Sequence, residues 1–286
     1  MLHRAQLHKY QQAAAKHIDR VPNAGLFLDM GLGKTVSTLT AISDLIDEFM
    51  VSKVLVIAPK RVAEHVWTAE VKKWSNLLQL PSSVVSGTRK QRISALRKDA
   101  DIYLLGRDNV SWLVAQYGGS KLPFDMLVID ESSSFKNPQS ARFKALRKVR
   151  SSFSRIVLLT GTPAPNSLID LWSQIYLLDG VQRLGKFIGR YRSQYFTPGG
   201  SKGHVVFNYN LRRGAKEQIY AAIEDVCMSM KAEDYLDLPK RTDVTVPIML
   251  KSGQLRQYED FKREQIMELV EGGEITAANA AVLSGK

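Results

Sequence analysis

Only one cysteine, Cys227, occurs in the 286 residues, so no internal disulfide can brace the fold. Long apolar runs are also missing. No segment approaches the ~20 residues a helix needs to cross a membrane, and the amino terminus carries no charged-then-apolar signal pattern. Internal repeats and low-complexity tracts do not occur, which excludes solenoid and linker-dominated architectures. These absences lead us to expect a cytoplasmic protein without a membrane partner. Acidic residues are in deficit: 40 Lys and Arg face 28 Asp and Glu, a formal net charge of +12. Such a surplus favours polyanions without saying which. The 44% hydrophobic and 24% charged content is that of a globular protein, long enough for one large domain plus an extension.

What is present begins with Phe27-Leu28-Asp29-Met30-Gly31-Leu32-Gly33-Lys34-Thr35. An apolar strand-like segment runs into glycines, a lysine and a hydroxyl, and an amphipathic helical segment follows. Glycines let backbone N–H groups turn inward around phosphates, and the helix presents its positive end to them. On this reading Met30, Gly31, Leu32 and Gly33 cradle a nucleoside triphosphate. Lys34 reaches its β- and γ-phosphates, and the Thr35 hydroxyl coordinates Mg²⁺. The general phosphate-loop pattern has a further glycine where this chain has Leu28.

A second motif, Phe124-Asp125-Met126-Leu127-Val128-Ile129-Asp130-Glu131, is a short apolar run ending in adjacent carboxylates. It reads as a buried parallel strand whose carboxyl end faces a ligand. Asp130 would share the Mg²⁺ with Thr35, and Glu131 would orient or deprotonate the water that attacks the γ-phosphate. Glu131 and Lys34 are therefore the candidate catalytic residues.

Short apolar runs alternate with longer amphipathic ones along the chain, the pattern of an α/β fold with a parallel sheet flanked by helices. Strands are expected at 25–28, 54–58, 83–85, 102–105, 126–130 and 156–160. Helices are expected over 8–19, 34–49, 61–76, 88–98, 108–116, 138–149 and 167–178. Asn137-Pro138 reads as an N-cap followed by proline at the first helical position. Beyond residue 180 the character changes. Residues 197–203 form a turn-rich stretch flanked by Tyr191, Tyr195, Phe196, Phe207 and Tyr209, aromatics expected to pack as a small core. A strand is expected over 242–250, and helices over 252–270 and 274–283.

Asp29-Met30-Gly31-Leu32-Gly33-Lys34-Thr35, Asp130-Glu131-Ser132-Ser133-Ser134-Phe135-Lys136-Asn137 and Leu159-Thr160-Gly161-Thr162-Pro163-Ala164-Pro165-Asn166 resemble motifs I, II and III of superfamily-two helicases of the Swi/Snf type. Leu171-Trp172 fits the same branch. The serine-rich second motif and Met228-Ser229-Met230-Lys231-Ala232-Glu233-Asp234-Tyr235-Leu236 look most like phage and bacterial members. The resemblance implies a RecA-like P-loop domain using ATP and Mg²⁺, in a bacterial or phage-infected host cell. Leu7-His8-Lys9-Tyr10-Gln11 is similar to the upstream adenine motif, with Gln11 bonding the base. Pro59, Lys60 and Arg61 look like motif Ia, which tracks a nucleic-acid backbone. Trp67 and Trp74 behind them fall on one helix face and are expected to be core. Thr160, Gly161 and Thr162 are similar to the element that couples the γ-phosphate state to the DNA path. Position 133 is Ser where many relatives carry His, so any contact from that His to motif III must be absent or replaced.

The resemblance implies an ATP-dependent DNA translocase or helicase acting on duplex rather than single-stranded DNA. Residues 1–180 are expected to form its ATP-binding first lobe, and 181–286 a mostly helical protrusion leading towards a second RecA-like lobe, which the sequence given does not include. Gly189-Arg190-Tyr191-Arg192 lacks the glutamine of an arginine-finger motif and comes too soon after motif III. The alternative is a catalytically incomplete DNA- or protein-binding module that keeps the ATPase fold. A kinase or GTPase fits less well, since no guanine-recognition signal accompanies the phosphate loop and Thr160-Gly161-Thr162-Pro163 fits neither. Basic patches at 89–98, 142–150 and 186–192 are, taken together, candidates for nucleic-acid contact.

Overall fold

In the computed structural model, residues 1–236 are described apart from 120, 200, 203, 204 and 207, together with isolated positions 244, 247, 249, 252, 253 and 255. The strand expected over 242–250 and the helices expected over 252–270 and 274–283 lie outside the described residues, save for those isolated positions. The chain divides into two compact units, Met1–Tyr191 with Lys216–Leu238, and Arg192–Ala215 with Pro239–Lys286.

The first unit is built on a seven-stranded parallel sheet. Its strands are β1 (Asn23–Leu28), β2 (Val54–Ala58), β3 (Ser82–Val85), β4 (Ile102–Gly106), β5 (Met126–Asp130), β6 (Arg155–Thr160) and β7 (Cys227–Met230). Their spatial order is β7-β1-β6-β5-β2-β4-β3. The helices are α1 (Lys9–Arg20), α2 (Lys34–Asp47), α3 (Trp67–Lys73), α4 (Arg89–Leu96), α5 (Val110–Gln116), α6 (Ala141–Val149) and α7 (Ile169–Asp179). A π-helical turn, Val62–Val66, precedes α3. Where the chain leaves and re-enters this unit it forms α8 (Ile188–Tyr195) and α9 (Ala215–Ala221).

Alternate residues of the strands meet different layers. Leu26, Leu28, Val54, Val56, Val128 and Leu159 join Ile18, Leu39, Ile42 and Trp67 of α1, α2 and α3 in one apolar cluster. Residues between them, such as Leu55, Ile57, Ile129 and Leu158, are buried as well, and α7 packs on β1 and β6, with α6 beside it and α5 beyond. Burial on both faces is why these strands read as unbroken apolar runs. Every strand expected before residue 180 is found, those over 54–58 and 126–130 with the expected ends. Every helix is found with shifted ends, that expected over 61–76 being broken into the π-helical turn, α3 and a 3-10 turn at Ser75–Leu77. Among the described residues no helix is long and apolar enough to cross a membrane.

Two local features differ from expectation. Helix α6 is capped by Ser140, whose Oγ accepts from Phe143 N–H. Asn137 instead closes the turn before it, with Oδ1 accepting from Gln139 N–H at 2.8 Å. A cap hydroxyl directly before the amphipathic run outcompetes an Asn-Pro pair a turn earlier. The other difference is β7, where no strand was expected. It pairs in parallel with β1, Gly25 opposite Cys227 and Leu28 opposite Met230. Arg183 anchors its approach, with Nε donating to Asp225 at 3.0 Å and Nη1 to Asp179 at 3.1 Å. The segment is short and sulfur-rich, so it lacks the β-branched composition that marks a strand.

In the second unit, Phe196–Pro198 pairs antiparallel with Tyr209–Leu211, and the Arg192 guanidinium lies 5.1 Å from the Tyr209 ring centroid. Tyr195 and Phe196 are buried, as expected of aromatics that anchor a turn, whereas Tyr209 is only half-buried and Phe207 lies outside the described residues. Tyr191, at the end of the first unit, is buried too and donates to Leu168 O. The described part of 181–236 is thus a mixture of short strands and helices.

A Cβ on Gly25 would lie 2.7 Å from Cys227 Sγ, and burial pushes that thiol up to about 12, leaving it unreactive near neutral pH. Gly25→Val is expected to lower stability in urea denaturation by about 1–3 kcal/mol through overpacking. Adding Cys227→Ala should recover part of that loss; no recovery would mean that the crowding lies elsewhere.

Candidate nucleotide-binding site

β1 ends at Leu28 and α2 begins at Lys34, and the loop between them turns on two left-handed glycines, Gly31 (φ 85) and Gly33 (φ 71). At Gly33 there is a second constraint: a Cβ would lie 2.3 Å from Gln11 Nε2. Leu32 is fully buried and pins the loop to the core, while Met30 is 80% exposed. Leu28, which stands in place of the usual first glycine, is also fully buried. It is the last β1 residue in the layer shared with α1 and α2, so its side chain serves packing and leaves the loop beyond it free.

Lys34 Nζ donates to the carbonyls of Leu28 (2.7 Å) and Asp29 (3.1 Å). Burial lowers its pKa, and the charges of Glu131, Asp130 and Asp29 oppose that shift. The ammonium therefore holds the loop closed on itself, and an entering phosphate would offer it a stronger, charge-assisted partner. Two buried hydroxyls in the first turns of α2 are satisfied within the helix, Ser37 Oγ on Gly33 O and Thr38 Oγ1 on Lys34 O.

Asp130 ends β5. Its Oδ2 accepts from Trp67 Nε1 (2.9 Å) and its Oδ1 from Glu131 N–H (3.0 Å). Burial raises the carboxyl above its ordinary range, while those two hydrogen bonds and the Lys34 charge pull it back. Glu131 follows with φ 53, a left-handed conformation that costs a non-glycine residue about 1–3 kcal/mol and concentrates at functional sites. It swings the chain into the turn Ser132–Phe135.

One cleft of about 480 Å³ brings together Gln11, Gly31, Gly33, Lys34 and Thr35 with Asp130 and Glu131. Glu70, Lys73 and Trp74 of the α3 region line it too, residues that sequence reasoning did not place there. Thr35 and Asp130, which both line the cleft, offer oxygen ligands. Among the described residues no group of three or more His, Cys, Asp and Glu could cage a metal. A site with few protein oxygens, leaving the remaining positions to phosphate and water, suits Mg²⁺.

Thr160 ends β6 fully buried, opposite Phe27 of β1, and its Oγ1 accepts from Thr162 N–H at 3.1 Å. Gly161 backs onto the phosphate loop: a Cβ there would lie 3.3 Å from Leu28 O. The Thr160–Thr162 element thus touches the loop from behind. Pro59, Lys60 and Arg61 do not line the cleft. They follow β2, with Lys60 and Arg61 exposed and Lys60 Cα 3.6 Å from where a Gly106 Cβ would be.

The basic patches divide. Arg89, Lys90 and Arg97 line an open concavity, whereas Arg92 stacks on Trp112 at 4.2 Å and bonds Asn109. Arg150 is withdrawn from its patch because it donates to Leu177 O and Leu178 O, capping α7. Sequence reasoning also assigned Trp67 to the core alone. It is buried, but a buried indole N–H needs an acceptor, and the one it finds is Asp130.

Comparison with known proteins agrees with this geometry: the SNF2-related domain matches residues 10–285. The chain belongs to the SNF2-related domain family. Protein p41 of Acyrthosiphon pisum secondary endosymbiont phage 1 is 33% identical over 279 residues, covering 95% of this chain and 60% of p41. Helicase ssl-1 of Caenorhabditis elegans is 27% identical over 270 residues, 90% of this chain and 11% of the helicase. Among solved structures, the Sulfolobus solfataricus SWI2/SNF2 ATPase core in complex with dsDNA superposes with a TM-score of 0.67 at 24% identity, covering 97% of this chain and 57% of that one. This family member thus has the RecA-like architecture expected of the Swi/Snf type and spans little more than half the length of the phage relative and the archaeal core.

Trp67→Phe keeps an aromatic ring, though a smaller one, and removes the N–H that holds Asp130. Because that bond lowers the Asp130 pKa, its loss lets the carboxyl take up a proton at higher pH. The acid limb of Mg²⁺-dependent nucleotide binding is expected to move to higher pH, and apparent Mg²⁺ affinity to fall about tenfold or more at neutral pH. An unchanged limb in a calorimetric titration series would remove Trp67 from the site.

Proposed function

We propose that this chain is the first RecA-like lobe of an ATP-driven translocase or helicase motor acting on duplex DNA. The observation that carries the reading is the single cleft in which phosphate loop, paired carboxylates and Gln11 converge, with the Thr160–Thr162 element against the back of the loop.

Each residue then has a task. The backbone of Met30–Gly33 and the amino end of α2 receive the phosphates. Lys34 exchanges its bonds to Leu28 O and Asp29 O for the β- and γ-phosphates. Asp130 and Thr35 would hold Mg²⁺, which when bound would neutralise charge on the phosphates. Glu131, beside them, takes a proton from the attacking water. Gln11 spends its Oε1 on His8 N–H (3.0 Å), so its NH₂ is the end left to donate to a ring nitrogen of adenine. A second lobe, contributing arginine fingers, would complete the γ-phosphate's surroundings, as the Swi/Snf resemblance implies.

Support for DNA comes from the surplus of +12, the exposed Lys60 and Arg61 after β2, and the concavity of Arg89, Lys90 and Arg97. The archaeal neighbour is itself a complex with double-stranded DNA. Binding through such cations must weaken steeply with salt.

The test is Mg·ATP hydrolysis with and without duplex DNA, with Lys34→Ala as the blank. A DNA-stimulated rate above the blank is expected once both lobes are present, and Glu131→Gln should reduce it about 10²–10⁴-fold while leaving nucleotide binding intact. For the chain alone, ATP at about one hundred times Kd should add roughly 2.7 kcal/mol of stability, a gain that Lys34→Ala abolishes. No gain in the wild type would leave a binding module that has kept only the ATPase fold.

A further inference from the structure

The turn carrying Asp130 and Glu131 is joined to the Thr160–Pro163 loop through one buried carboxamide. Ser132 Oγ donates to Gln174 Oε1 at 2.8 Å. Gln174 Nε2 donates to Pro163 O at 2.6 Å and to Asp170 O at 3.0 Å. Gln174 is fully buried and Ser132 nearly so. A glutamine among Leu171, Ile175 and Leu178 is costly unless its polar atoms are paired, and here acceptor and donors are spoken for by different motifs. Two outer contacts reinforce the link: Ser173 Oγ donates to Lys136 O at 2.7 Å, and Lys136 Nζ lies 3.7 Å from Asp170.

We propose that Gln174 is a positioning residue that passes the nucleotide-dependent state of the Asp130–Glu131 turn to the Thr160–Pro163 loop. The inference rests on the nucleotide-site reading above. Ser132 gives its one hydroxyl hydrogen to Gln174 Oε1 while Pro163 O accepts from Gln174 Nε2, so the two motifs are joined through a side chain that accepts and donates at once. Gln174 does this from the first turns of α7, so a shift of Ser132 is conveyed as a pull on Pro163 O. The contact of Gly161 with the back of the phosphate loop is a second route, steric and independent of Gln174. The connection that serine at position 133 left open is therefore made by its neighbour, Ser132.

Amide hydrogen exchange of this chain, with and without Mg²⁺ and a non-hydrolysable ATP analogue, separates the routes. In the wild type the nucleotide is expected to slow exchange both in the phosphate loop and in residues 161–168. The pair Ser132→Ala with Gln174→Leu removes both partners and leaves no buried hydroxyl unpaired. It should keep the analogue's Kd within about twofold and the slowing of the phosphate loop, but lose the slowing of 161–168 by about tenfold. Gln174→Met keeps an unbranched, helix-favouring side chain of similar size but has no donor for Pro163. It should lose the same response even if the double variant does not fold. A merely structural role would speed exchange equally in both states and preserve the difference. That result, with binding retained, overturns the proposal and assigns coupling to Gly161. Failure of the wild type to bind the analogue overturns the nucleotide-site reading, and this inference with it.

Discussion

The parallel ladder joining β1, β6 and β5 is the constraint on which the site depends. Its register sets Phe27 opposite Thr160 and Leu159 opposite Asp130, so three loops leave the sheet at one level. A slip of one residue in any of these pairings would turn Asp130 or Thr160 to the other face. Because both faces are packed with helices, such a slip would also bury the wrong side chains, and core packing therefore protects the chemistry. The adjacency of phosphate loop, carboxylates and Thr-Gly-Thr element follows from backbone hydrogen bonds before any side chain is considered.

Within that frame the charges are left unbalanced in a way that suits a ligand. Lys34 is partly desolvated and spends its protons on carbonyls of its own loop, while burial raises the Asp130 carboxyl and an indole and a backbone amide pull it back. Both groups gain when a phosphate and a cation arrive together. The strain at Glu131 serves the same end. Its left-handed backbone ends the strand, so that consecutive carboxylates line one cleft instead of lying on opposite faces of a continued strand.

Most of this was legible in the sequence because the strands of a doubly covered sheet announce themselves as apolar runs and the loops after them carry glycine, lysine and paired acids. What escaped notice did so for physical reasons. Strand β7 has a composition that does not favour strands and is held by its register with β1 and by Arg183. Trp67 reads as core and is core; only its N–H has another task, and periodicity does not report on single atoms. Gln174 sits in a helix whose neighbours are apolar, and a lone polar residue in such a helix gives no hint of its partners until the turn before α6 is placed beside it. Arg150 looked like part of a charged face, but its guanidinium is used up on the carbonyl end of α7. The Leu28 departure, by contrast, resolves into packing: the chain needed one more core residue at the end of β1.

The late arrival of β7 has a consequence for how the protein is made. β1 lies between β6 and β7, and the Asp29 carboxylate accepts from the N–H of Ala232, 203 residues further along. During synthesis, at roughly 5–20 residues per second, the phosphate loop would emerge many seconds before either neighbour of its strand. An apolar strand with both edges unpaired is the kind of surface that seeks wrong partners. The nucleotide site is therefore encoded early and framed late, and the nascent chain's exposure to misassembly is greatest across the interval in which its most informative motif has already left the ribosome.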